Sequence, residues 1–315
     1  MIKRFVITID TESDNQWNCT NTQKTENAHY IPRFQELCES YGFKPTYLVD
    51  YTMGADEFLV KYLKPLNLSD KCEVGMHLHA WDTPPKHEMD LSISGRPYLI
   101  EYPEEVMENK IEAITRSLEE QFESKMASHR AGRWATNLLY LRLLERYGYR
   151  IDCSFTPGID WSKQKGHAVG GTNYQSENAI IHRINECNKL IEVPMTIGKI
   201  RTKHISMNSG IKNFLKTAYQ SIFGKRVWVR PSISNIEDIL QLVSDISNED
   251  SEYIEFMMHS SEFMPGGSPY YKTQEDINRL YSMLDILFQR ITTLNYEGST
   301  LRAIGAMVEE GEINV

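Results

Sequence analysis

Two histidines separated by one residue are the clearest chemical signal in this chain. His77 and His79 stand in the stretch EVGMHLHAW, where Val74 and Met76 are typical of a short buried strand. In extended backbone, side chains at positions i and i+2 point to the same face, so the two imidazoles can reach one point. Histidine pairs also occur as ordinary core or surface groups, but imidazole is a common metal ligand, and a metal site is one interpretation of this pair.

Two carboxylates have the same spacing at the end of the first predicted strand. These are Asp10 and Glu12. Two imidazoles and one carboxylate around a divalent metal, with one position open for water, form a common hydrolytic site. His77, His79 and either carboxylate can supply these ligands. The other carboxylate is then a candidate general base, and His259 is a candidate acid for the leaving group, so this set favours hydrolysis of an amide or ester.

Predicted strands and helices alternate along the chain, and this alternation indicates a mostly parallel sheet, either open or closed into a barrel. The irregular segment 159–189 is typical of an active-site loop. The main predicted strands span 5–10, 45–50, 73–79, 127–130, 149–155, 190–196 and 253–259, with a further short one at 227–229. The predicted helices span 32–41, 56–63, 103–124, 134–147, 213–223, 235–246, 273–294 and 300–309.

The polar residues of interest lie at or near the ends of these strands, most of them at the carboxyl end. Ligands bind at the carboxyl ends of the strands in both kinds of sheet, so we expect these side chains to converge. Each has an ordinary explanation when it is taken alone, as a helix cap, a surface arginine or a turn residue. Their shared position favours a common site, formed by Asp10, Glu12, His77, His79, Arg130, Asp152 and His259.

Composition limits the class of protein. The chain has 315 residues, 41% of them hydrophobic and 24% charged, with no obvious linker, and we expect one domain over residues 1–315. Its net charge of −9 without a basic cluster argues against nucleic-acid binding. The 5 cysteines have no CxxC spacing, which argues against a disulfide framework or a cysteine zinc site. No segment is predicted to span a membrane or to act as a secretion signal, so we expect a cytoplasmic protein.

Five segments resemble, in their order, the motifs of a known family. They are TIDTE (8–12), EVGMHLH (73–79), HRAG (129–132), DCS (152–154) and MMHS (257–260). Together they resemble the polysaccharide deacetylase family with the NodB homology domain, carbohydrate esterase family 4, over residues 4 to 262. The run SEFMPGGSPY (261–270), with the HLHAW stretch, is similar to the branch associated with bacterial surface-polysaccharide synthesis. The resemblance implies an α/β fold, an irregular (β/α)7 barrel.

The resemblance also implies a catalytic role for four residues. Asp10 matches the family's catalytic base, and Arg130 matches the arginine that pairs with this base. His259 matches the catalytic acid, and Asp152 matches the aspartate that supports the acid.

The metal ligands implied by the resemblance are Glu12, His77 and His79. Adjacent aspartates of the first motif are replaced here by Asp-x-Glu, so Glu12 stands for the metal-binding acid. His77 matches the first metal histidine. The second usually lies four residues further on, where this chain has Trp81, and His79 is therefore the substitute ligand.

The activity implied is metal-dependent removal of an N-acetyl group from an amino sugar, with zinc as the default cation and iron, cobalt or nickel as alternatives. The sugar is nucleotide-linked, lipid-linked or part of an oligosaccharide, and no feature of the sequence indicates the oligomeric state. Two other functions stay open. One is a metal-independent glycosidase that uses Asp10 with Glu255 or Glu262, and the other is an inactive sugar-binding relative.

Overall fold

The computed structural model describes residues 3–14, 16–17, 24–91, 96–201, 224–249 and 251–315. Within these residues the strands are β1 (Lys3–Thr11), β2 (Thr46–Val49), β3 (Glu73–Leu78), β4 (Ser128–Ala131), β5 (Ile151–Asp152), β6 (His182–Arg183), β7 (Ile191–Glu192), β8 (Ile197–Ile200), β9 (Lys225–Trp228), β10 (Tyr253–His259) and β11 (Tyr296–Ser299). The α-helices are α1 (Ile31–Ser40), α2 (Glu57–Leu68), α3 (Glu104–Phe122), α4 (Leu138–Arg146), α5 (Ile236–Asn248), α6 (Gln274–Thr293) and α7 (Leu301–Glu309). None of these helices is long and apolar enough to span a membrane.

One curled sheet of 9 strands carries the site. Its strand order is β10-β1-β2-β3-β4-β5-β7-β6, and β11 also pairs with β1. The pairs from β10 to β7 are parallel, whereas β6 and β7 are antiparallel. Strands β8 and β9 form a separate antiparallel pair. The mixed α/β fold expected from the alternation is therefore confirmed.

The sheet is an open half-barrel, which is consistent with the expected irregular barrel of the NodB type but is not a closed (β/α)7 barrel. The strands at the far side of the order, β5, β6 and β7, have only two residues each, which is too short for a full ladder. In the described part of the chain, single hydrogen bonds join β10 to the segments opposite it. The amide of Met257 donates to the carbonyl of Val229 (3.2 Å), and the amide of Glu255 donates to Thr196 Oγ1 (2.8 Å).

Strand β1 pairs with three other strands, β10, β11 and β2. From Phe5 to Ile9 it is buried, as expected for a parallel strand covered by helices. The ring of Phe5 packs edge-on against Phe288 of α6, with 5.8 Å between ring centroids. Helix α6 thus covers one face of the sheet next to the strand that carries Asp10.

The register of the parallel strands sets the relative positions of the site residues. Asp10 is paired with His259 between β1 and β10, and His77 is paired with Arg130 between β3 and β4. Because neighbouring parallel strands end at the same edge, these four residues lie at the same edge of the sheet.

Several element predictions need correction. The predicted strands 149–155 and 190–196 shorten to β5 and β7, and β6, β8 and β11 were not predicted. The predicted helix 213–223 lies outside the described residues. The remaining predicted helices and strands are present with shifts of their ends, the largest of which are the start of α4, at Leu138 instead of residue 134, and the end of α2, at Leu68 instead of residue 63.

Candidate active site

Five of the seven residues identified from the sequence line one cavity of about 870 Å³. Asp10 and Glu12 reach it from the end of β1, the two histidines from the end of β3, and His259 from the end of β10. Arg130 lies beneath the cavity floor and contacts Asp10. Asp152 lies apart from this group. The five predicted site residues that line the cavity are Asp10, Glu12, His77, His79 and His259.

Glu12, His77 and His79 form a compact group of donors. Their ligand atoms all lie within 4.8 Å of one another. Glu12 Oε2 is 3.2 Å from His79 Nε2 and 3.7 Å from His77 Nε2. The Nδ1 atom of His77 donates to the carbonyl oxygen of Arg130 (3.1 Å), which leaves Nε2 as an acceptor facing the cavity. A histidine held by a backbone carbonyl in this way is oriented as a metal ligand.

The charges around this group also fit a cation. Burial is the main influence on His77 and lowers its pKa, so its imidazole is neutral and can coordinate. Burial raises the pKa of Glu12, but contacts with His259, His77 and His79 outweigh burial and hold the pKa well below its usual range. Burial lowers the pKa of His79, but contacts with Asp82 and Glu12 outweigh burial and raise it to about 10, so a cation would have to displace a proton from this ring. The donor set on binding would be one ionised carboxylate and two imidazole nitrogens, which suits zinc and related transition metals.

A second group of possible ligands lies on the other side of the His79 ring. Its Nδ1 atom is 3.5 Å from Asp82 Oδ2 and 3.9 Å from Asp50 Oδ2, and no hydrogen bond satisfies it in the described residues. The carboxylate of Asp50 already accepts hydrogen bonds from the amides of Ser13 (3.0 Å) and Met53 (2.7 Å). Neither aspartate lines the cavity. We therefore assign these carboxylates to the support of His79 and not to a second cation site.

One carboxylate oxygen of Asp10 accepts a hydrogen bond from an arginine, and the other faces the cavity. Oδ1 accepts a hydrogen bond from Arg130 Nη1 at 2.7 Å. Oδ2 lies 3.9 Å from both His77 Nε2 and His259 Nε2. Burial raises the pKa of Asp10, but Arg130 and the two histidines outweigh burial and lower it below the usual value. Asp10 is therefore an ionised carboxylate with one oxygen facing the cavity, which is the geometry of a general base.

Arg130 is buried and connects Asp10 to further elements. Its Nη2 donates to Thr8 Oγ1 (2.9 Å) and to Glu255, and its Nε donates to the carbonyl oxygen of Cys153 (3.0 Å). These bonds fix the guanidinium in one orientation. The expected pairing of Arg130 with Asp10 is observed.

His259 faces the opposite side of the cavity from the histidine pair. Its Nδ1 lies 3.2 Å from Glu262 Oε2, and its Nε2 lies 3.9 Å from Glu12 Oε1. Arg230 Nη2 bonds to Glu262 at 3.1 Å and lies 3.1 Å from His259 Nδ1. Burial lowers the pKa of His259, but Glu12 and Glu262 outweigh burial and raise it. The imidazolium can therefore act as an acid.

The family resemblance implied that Asp152 supports His259. The carboxylate that contacts His259 is instead that of Glu262. Asp152 Oδ1 accepts hydrogen bonds from His129 Nδ1 (2.7 Å) and Ser154 Oγ (2.7 Å). The physical reason is the register of β4 and β5, which pairs His129 directly with Asp152. Asp152 thus holds the ends of two strands together. Glu262 lies three residues after His259, a spacing that was a usable signal in the sequence.

This arrangement predicts different effects for two conservative substitutions. Glu262→Gln should lower kcat about tenfold, a part of the ~10²–10⁴-fold that a positioned acid supplies. Asp152→Asn should instead reduce the free energy of unfolding by about 2 kcal/mol, because it weakens buried hydrogen bonds to a charged group. Steady-state kinetics and urea denaturation separate the two. If Asp152→Asn lowers kcat more than Glu262→Gln does and leaves the free energy of unfolding unchanged, Asp152 and not Glu262 supports His259.

Aromatic side chains form much of the cavity wall. Trp81, at the position where the resemblance placed a metal histidine, stacks on His79 with ring centroids 4.5 Å apart and planes 19° apart. Trp134 contacts Trp228 edge-on (5.9 Å), and Trp161 contacts it at 6.2 Å. Trp17 and Trp228 were not identified from the sequence, since a lone tryptophan is usually a core residue.

Comparison with known proteins gives the fold but not the sequence family. No family model and no curated protein matches the chain. A solved structure from Mycobacterium smegmatis, described as a polysaccharide deacetylase, aligns with a TM-score of 0.59 at 12% identity, covering 99% of this chain and 92% of that one. The structure of Puue allantoinase aligns with a TM-score of 0.57 at 10% identity, covering 98% and 89%. These two alignments show that the chain shares its fold with both structures.

Proposed function

We propose that this protein is a metal-dependent hydrolase that removes an N-acetyl group from an amino sugar. The observation that supports this most directly is the position of Asp10. One of its oxygens is bound by Arg130, and the other faces the space between His77 and His259. Glu12, His77 and His79 supply a donor group beside it. A base, an acid and a metal donor set thus surround one point in the cavity.

The residues divide the reaction between them. Glu12, His77 and His79 would hold the cation, with zinc as our first expectation. When bound, such a cation supplies Lewis acidity, which polarises a carbonyl oxygen and lowers the pKa of water. Asp10, kept ionised by Arg130, takes the proton from the attacking water.

The leaving amine needs a proton as the carbon–nitrogen bond breaks. His259 donates this proton from Nε2, which faces the cavity, while Nδ1 is held by Glu262. The acetyl carbon thereby gains an oxygen from water, and the sugar leaves as a free amine. The products are acetate and the deacetylated amino sugar.

We extend this proposal to the substrate and to the biological role of the protein. Aromatic rings on the cavity wall suit the apolar faces of a sugar. Within the run 261–270, which resembles the branch for surface-polysaccharide synthesis, Glu262 and Tyr270 line the cavity. We therefore propose a role in surface-polysaccharide synthesis, carried out in the cytoplasm by a single catalytic domain.

The test is acetate release from N-acetylated sugars by the purified protein, before and after chelation. We expect acetate release that chelation abolishes and added Zn²⁺ restores, because a cation held by Glu12, His77 and His79 would polarise the acetyl carbonyl. Sugar cleavage that resists chelation would favour a glycosidase, and sugar binding without acetate release would favour an inactive relative. The pairing of Asp10 with Glu255 as glycosidase carboxylates is disfavoured, because Glu255 is fully buried and bonded to Arg130.

A further inference from the structure

The outer part of the cavity carries positive charge that the proposed reaction does not use. Arg96, Arg133, Lys225 and Arg226 line it, although the whole chain has a net charge of −9. We call these four residues the cationic rim. Arg230 belongs instead to the catalytic end of the cavity, where it bonds to Glu262.

Two residues of the rim have no carboxylate partner within the described parts of the chain. The guanidinium of Arg133 donates to the carbonyl oxygens of Arg96 and Lys165 (2.9 Å) and lies 4.3 Å from the ring centroid of Tyr98. Arg226 is exposed and makes no ion pair among the described residues. Lys225 is paired with Asp238. The rim therefore holds a net excess of positive charge.

The backbone that presents Arg133 is unusual. Arg133 (φ 57°) and Trp134 (φ 63°) are consecutive non-glycine residues in the left-handed region. This conformation is unfavourable for residues with a Cβ atom and is concentrated at functional sites. The turn begins at Gly132, where a Cβ atom would lie 2.4 Å from His79 Cδ2. Gly132 thus packs closely against His79. The two residues that follow it in this strained turn, Arg133 and Trp134, both line the cavity.

We propose that the cationic rim binds a phosphoryl group carried by the acetylated sugar. This inference rests on the proposed function and narrows its substrate to sugar phosphates or diphosphates. A phosphoryl group supplies two negative charges and several acceptor oxygens, which guanidinium groups bind in a bidentate manner. A neutral oligosaccharide would leave the excess charge of Arg133 and Arg226 uncompensated. The nucleotide-linked and lipid-linked sugars share this chemistry.

The first test measures binding alone, so it does not depend on catalysis. Inorganic pyrophosphate is titrated into the full chain by calorimetry at low and at high salt. We expect binding that weakens with salt, and at least tenfold weaker binding in Arg133→Gln and Arg226→Gln. Arg116→Gln is the matched control, since Arg116 lies on α3, pairs with Glu112 and does not line the cavity. Absence of pyrophosphate binding, or equal loss in the control, overturns the proposal.

The second test measures substrate choice. The readout is the ratio of kcat/KM for N-acetylglucosamine 1-phosphate to that for N-acetylglucosamine. We expect this ratio to exceed ten in the wild type and to fall about tenfold in each rim variant but not in Arg116→Gln. A ratio near one in the wild type overturns the rim as a substrate site. Pyrophosphate binding without hydrolysis of either sugar would contradict the proposed deacetylase while keeping the anion site.

A third arm distinguishes the two sources of the phosphoryl group. Uridine diphosphate and farnesyl phosphate are compared as competitors of pyrophosphate. Competition by either compound supports the site and identifies the carrier that fits better. Failure of both to compete contradicts the proposal that a carrier phosphate occupies the rim.

Discussion

Replacing Asp10 by asparagine should lower kcat about 10³-fold, within the ~10²–10⁴-fold that general base catalysis contributes. Asparagine keeps the shape of the side chain and can still accept a hydrogen bond from Arg130, but it cannot take a proton from water. The proposed metal donors Glu12, His77 and His79 are unchanged. We therefore expect full metal content in Asp10→Asn, measured by elemental analysis beside steady-state acetate release.

The matched control for this substitution is Glu255→Gln. Both Asp10 and Glu255 bond to Arg130, so both variants replace a carboxyl group next to the same guanidinium. Burial raises the pKa of Glu255 to about 7, so the two variants are compared above pH 8, where each removes one negative charge. Only Asp10 lines the cavity. A loss of activity in Glu255→Gln as large as that in Asp10→Asn would show that charge balance around Arg130, and not proton transfer, explains the effect.

Replacing His77 by alanine should abolish stable metal binding. Loss of a residue that only orients a ligand already costs about 10–100-fold in metal affinity, so we expect loss of a ligand to cost more than about 100-fold. The His77 ring is neutral and is held at Nδ1 by the carbonyl of Arg130, which leaves Nε2 for the cation. Competition with a coloured zinc chelator measures the affinity directly.

His259→Gln is the control for the metal experiment. His259 lies close to the donor group, with Nε2 3.9 Å from Glu12 Oε1, but it is proposed as the acid and not as a ligand. We expect this variant to keep its metal and lose turnover. Unchanged metal content in His77→Ala, or equal metal loss in His259→Gln, would contradict the ligand assignment.

The parts of the site that sequence alone predicts are those fixed by single strands. The segments 5–9 and 253–258 are mostly apolar, and a polar residue follows each of them, so the carboxyl ends of β1 and β10 were recognisable. The i, i+2 spacing of His77 and His79 predicted that both rings reach one side, and their rings lie 4.5 Å apart. These inferences need only local backbone geometry.

The parts that sequence alone did not predict depend on contacts between strands. The partner of Asp152 is set by the pairing of β4 with β5, and no pattern within either segment indicates His129 as that partner. The contact of His259 with Glu262 is an exception, because it is local and is formed by the tight turn after β10. The two-residue strands β5 and β7 are too short for periodicity to define, and closure of the barrel depends on these strands.

The side chain of Arg130 has a consequence for the shape of the protein as well as for its chemistry. Strand β4 is separated from β1 by two strands in the sheet, yet Arg130 reaches across the concave side to Thr8 and Asp10 on β1 and to Glu255 on β10. One guanidinium therefore links opposite walls of the open curl. The link between these walls and the lowered pKa of Asp10 depend on the same side chain, so a substitution at position 130 would disturb both at once.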